Sequence, residues 1–181
     1  MTPDVSKKVT LQVTRLPRPS KASDLQWLLE HASEFAATTF AKRGRVEPMW
    51  IAISDIARFV MTADSDDKDA NVAAIKKFFA KERVKLYVFM DEAWMVDRTK
   101  SGPPISSTEF SDMDRKGLKD HPDRREIVAL SGEDGQRIAL GMRYILRPEH
   151  GKPSLTPLTF EFGESGELGG RMVGLLPAEK S

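Results

Sequence analysis

Residues 84–96 constrain the fold most. Leu86, Val88 and Met90 alternate with Tyr87 and Phe89, so apolar side chains project from both faces of one extended segment. A half-buried surface strand shows water a polar row, and this one has none in its first half. It must lie inside a sheet that is covered on both sides there. Glu92 and Trp94 continue the Leu86 row, and Asp91 falls on the other face.

The rest of the chain supplies neighbours for that strand. Leu25, Leu28, Leu29, Ala32, Phe35, Ala36 and Phe40 recur at helical spacing and predict a helix over about 23–43. Ser23 with Gln26 fits a capping box, and Gly44 a left-handed cap. A second helix is predicted over about 67–83, with Ser65 or Asp66 as its cap and Val72, Ile75, Phe78 and Phe79 as its stripe. Two short strands, 49–53 and 58–62, lie between the helices and can pair as a hairpin. Residues 124–133 and 136–147 form another, with Asp134-Gly135 as the two-residue turn. That turn sets Glu133 opposite Gln136 and Glu126 opposite Arg143. A further strand is expected at 158–162. Consecutive hairpins imply a mainly antiparallel sheet with both helices packed on a face of it, an α+β fold.

The division is a single domain over 23–177, an N-terminal arm over 1–22 and a tail over 178–181. Val9, Leu11 and Val13 give the arm the period of an edge strand. Its basic side chains, with Lys42, Arg43 and Arg45, leave a nucleic-acid role open. Lysine plus arginine number 28 against 27 acidic residues, which disfavours a strongly basic binder. Residues 97–122 read as a long loop. No signal segment and no apolar run of membrane-spanning length occur, so a cytoplasmic chain is expected. Cysteine is absent, which removes disulfides, thiolate metal sites and cysteine nucleophiles.

Chemistry could centre on Glu92, His121, Glu126 and Arg124. A carboxylate ending a buried row must be paired, hydrogen-bonded or protonated. One reading gives Glu92 to an arginine or a backbone donor as a structural group. The other makes His121 a base or ligand beside Glu92 and Glu126. His31 is expected at the surface, and His150 in a turn. The glycines of 163–170 are not a phosphate cradle, because no Gly-Lys-Ser/Thr and no clear following helix accompany them. No cofactor and no metal are expected.

Pro48-Met49-Trp50, Tyr87-Val88-Phe89 leading into Glu92-Ala93-Trp94, and His121-Pro122-Asp123-Arg124 with Glu126 resemble a family of small uncharacterised bacterial and phage-type proteins. The resemblance spans about 24–147. It implies a host or prophage accessory protein and supplies no catalytic residue. The expected function is a non-enzymatic binding or assembly module with a protein partner or self-association, and no membrane. An enzyme using Glu92, His121 and Glu126 comes second, and a nucleic-acid accessory protein third.

Overall fold

The structure, a computed structural model, describes residues 8–20, 24–96, 122–164 and 172–178. His121 and nearly all of the long loop lie outside the described residues. In chain order the elements are β1 (Leu11–Pro17), α1 (Leu25–Arg43), β2 (Met49–Ile53), β3 (Ala57–Ala63), α2 (Lys68–Glu82), β4 (Leu86–Val96), β5 (Arg124–Glu133), β6 (Arg137–Leu146), β7 (Ser154–Leu155) and β8 (Thr159–Glu164). The sheet runs β1-β3-β2-β4-β5-β6, with β7 and β8 both on β6, and every pairing is antiparallel. This is an α+β fold with a mainly antiparallel sheet.

β4 is a central strand, and its alternation sorts the core. Leu86, Val88 and Met90 join Ile51, Ile53, Val128 and Leu130 beneath α1. Tyr87 and Phe89 join Trp50, Ala52, Phe59 and Met61 on the other face, with Ile75 and Phe79 of α2. The helices therefore cover opposite faces, a correction to the expectation that they share one. Burying β4 on both sides requires an apolar layer on each, and each helix supplies one.

Both predicted helices form with shifted caps. Asp24 caps α1, its Oδ1 accepting from Gln26 N at 3.0 Å. Gly44 ends α1 in the left-handed conformation, as expected, and its N–H donates to Phe40 O at 2.7 Å. Asp67 caps α2 and accepts from the amides of Asp69 and Ala70, and Ser65 Oγ accepts from Asp67 N one step earlier. Phe35 leaves the predicted α1 stripe and is exposed. α1 sits close to the sheet because Gly132 lies beneath it: a Cβ there would fall 3.2 Å from Leu25 Cδ1 and 2.6 Å from the Tyr87 carbonyl oxygen.

The β5–β6 register differs from the expected one. The turn centres on Gly135 and Gln136, flanked by a bond from Asp134 N to Arg137 O. Asp134 is the corner residue, because its carboxylate accepts from both Gln136 N and Arg137 N. Gly135 takes φ 87°, and Gln136 is not among the positive-φ residues, the sign pattern of a type II′ turn. Each strand moves one place, so Arg143 faces Val128 rather than Glu126. It keeps its face and reaches α1 instead, donating to Ser33 Oγ at 2.6 Å and Glu34 Oε1 at 2.8 Å.

The C-terminal residues 172–178 close back on β4 and β5. Glu133 is buried, and its carboxylate accepts from the amides of Gly174, Leu175 and Leu176 at 3.0, 2.8 and 3.1 Å. Tyr87 Oη donates to Met172 O at 3.0 Å, and Leu175 is buried against the α2-side core. Three N–H donors satisfy the buried carboxylate. Glu133→Ala is expected to cost about 3 kcal/mol, because those amides lose their acceptor inside the fold. Glu133→Gln, which keeps an acceptor oxygen, should cost less. Urea unfolding of both variants checks the order; two variants as stable as wild type would show that the carboxylate holds nothing.

Candidate binding site at the end of strands β4, β5 and β6

The β4–β5 ladder runs to Val96 and Arg124, but the β5–β6 ladder ends at Ile127 and Tyr144. Beyond that pair β6 turns its hydrogen bonding to β7, as Ile145 meets Leu155. A cavity of about 600 Å³ opens between the strand ends, lined by Trp94, Arg124, Arg125, Glu126, Tyr144 and Leu146 among others. That volume falls in the range of ligand sites.

Sheet diagonals place two arginine–aromatic pairs there. Trp94 faces Glu126 across the ladder, and Arg124 lies one same-face step further along β5. The Arg124 guanidinium carbon sits 4.7 Å from the Trp94 ring centre. Arg125 projects from the opposite face of the strand and lies 5.3 Å from the Tyr144 ring centre. Both contacts are within cation–π range. Trp94 is 38% exposed, and both arginines are exposed.

Glu92, Glu126 and Arg124 do share the α1 face at this end of the sheet. Each already has a partner. Glu92 Oε1 accepts from Val46 N at 2.8 Å, closing the connection between α1 and β2. Glu126 takes a two-point ion pair from Arg147, at 2.5 and 3.2 Å. That contact, and secondarily the charge of Glu92, raises the Arg147 pKa above its ordinary value. Arg124 rests on Trp94. Among the described residues no group of three or more His, Asp or Glu could hold a metal ion.

The other sequence candidates scatter. His150 is exposed in its turn. His31 is partly buried rather than free at the surface: its ring stacks on Trp27 at 5.0 Å and its Nε2 lies 3.0 Å from Arg58 Nη1. Arginine can only donate, so this nitrogen accepts and the ring is neutral. Burial and the Arg58 charge lower the His31 pKa. In the N-terminal segment Arg15 lies over Phe59 within the sheet; between α1 and β2, Arg45 pairs with Glu47 at 2.9 Å. Among the described residues no helix is long and apolar enough to cross a membrane. Comparison with protein-family models, curated proteins and solved structures finds no match.

Arg125, Arg147 and Tyr144 were not singled out from sequence as site residues. Their signal is weak, because an arginine–aromatic diagonal depends on the register of the β5–β6 pair.

Asp91 lies on the α2 face, away from Glu92. Burial pushes its carboxyl up to about 6, against the Glu92 amide and the Lys68 charge, which lower it. The folded chain therefore holds this proton between pH 3.8 and about 6 while the unfolded chain releases it. Stability falls as pH rises through that window and stays lower above it. Asp91→Asn should stabilise the protein at pH 7 by about 1 kcal/mol, the part of the shift that survives solvent screening at a half-buried site. The gain should vanish below the lower limit of the window. Melting curves across pH check this, and a gain independent of pH would contradict it.

Proposed function

We propose that this protein is a non-enzymatic binding or assembly module of the bacterial or phage accessory type, working in the cytoplasm on a protein partner. The observation that carries this reading is the state of the candidate acid–base groups. Glu92 holds a backbone amide and Glu126 is neutralised by Arg147. A general base must be free to reach a substrate proton. Besides Glu126, the cavity is lined by Trp94, Tyr144 and two arginines. Trp, Tyr and Arg are the side chains that dominate protein–protein binding energy. The cysteine-free composition and the resemblance of the Glu-Ala-Trp and His-Pro-Asp-Arg-x-Glu segments fit the same role.

The test is capture of a partner from the native host by wild type and by Trp94→Ala, with the fold of each verified by circular dichroism. The reading expects one specific partner with wild type and at least a tenfold loss with the variant, the size of effect a binding hot spot gives. Undiminished capture by Trp94→Ala would move the interface elsewhere. Substrate turnover abolished by Glu126→Gln would replace the module with an enzyme.

A further inference from the structure

We infer that the partner presents an acidic segment whose carboxylates dock on Arg124 and Arg125; this rests on the binding-module reading. Among the described residues the lining of the cavity carries one carboxylate, Glu126, and Arg147 already engages both of that group's oxygens. The guanidinium groups of Arg124 and Arg125 form no hydrogen bond and no ion pair among the described residues; each is held only against an aromatic ring. A ring contact orients a guanidinium without using its N–H donors, which radiate in the guanidinium plane. Two oriented, exposed forks whose donors meet no acceptor among the described residues are suited to two-point recognition of carboxylates. Both line one cavity although they leave β5 on opposite faces, so the segment that meets both crosses the open end of the strand.

A nucleic acid is the less favoured occupant. Single-strand binding needs a positive groove that follows many phosphates. Here the neighbouring charges are balanced, with Arg45 on Glu47, Arg147 on Glu126, and Glu92 close by.

The experiment is fluorescence anisotropy of the full chain with three labelled probes: a short Asp/Glu-rich peptide carrying one Phe, the same peptide with Lys replacing the acids, and an oligothymidylate of matched charge. The acidic peptide should bind tightest. Its affinity should fall at least about tenfold in Arg124→Ala/Arg125→Ala. It should also fall on raising salt from about 0.1 M to about 1 M, which shortens the screening length from about 10 to about 3 Å. Both arginines are exposed, so the variant is expected to fold, and its melting curve verifies this. Equal binding of the Lys peptide, or no effect of the double substitution, overturns the acidic class. Tighter binding of the oligothymidylate overturns it in favour of nucleic acid. If the acidic peptide fails while capture still depends on Trp94, the ligand class is wrong and the module stands. If both fail, the module reading fails too.

Discussion

Two apolar rows on one strand set the terms for the whole chain. β4 puts Leu86, Val88 and Met90 under α1 and Tyr87 and Phe89 under α2. Neither row can face water without exposing several large side chains, each worth roughly 1.5–3 kcal/mol when buried. A sheet with both helices on one side would leave one row bare. The helices therefore divide between the faces, and β2 and β5 flank β4 on its two edges. The C-terminal residues complete the α2-side layer through Leu175, and Glu133 holds them there.

The second half of β4 departs from this rule. Past Met90 the strand carries Asp91, Glu92 and Trp94, and burial declines along it. Burial falls on both faces over the same stretch, and the β5–β6 ladder stops. Polar groups there are satisfied one by one: Glu92 by Val46 N, Glu126 by Arg147. The aromatic rings that remain open each have an arginine against them. A surface made this way keeps its charged groups in water and its rings partly covered.

Helix positions and the two faces of β4 were legible in the sequence, because both follow from side-chain period. The assignment of helix to face was not. A stripe says that a helix is buried, and nothing in residues 68–82 says against which side of the sheet. The β5–β6 register was missed by one place on each strand. Asp-Gly is a good turn pair, but Asp134 can accept from two amides only from the corner position, and that preference won. Glu92 accepts from Val46 N, a backbone donor of the kind the sequence left open for it. Glu133 looked like an ordinary hairpin residue, since its three donors come from a segment more than forty residues later in the chain. His31 was read as a surface residue because Arg58, its partner, arrives from β3 through the sheet and not along the helix.

Glu92 and Glu126 are held by Val46 N and Arg147, and Arg124, Arg125, Trp94 and Tyr144 line the cavity beside them, so substitution of the two carboxylates separates a role in the fold from a role in the proposed binding. The most direct measurement is on Glu92→Gln/Glu126→Gln, comparing its unfolding free energy and its partner affinity with those of wild type. A loss of stability of about 1–3 kcal/mol is expected, from a weakened hydrogen bond and an Arg147 without its ion pair, with partner affinity kept. A variant as stable as wild type that no longer binds, or that has lost a measurable turnover, would place the chemistry on the carboxylates and contradict that expectation.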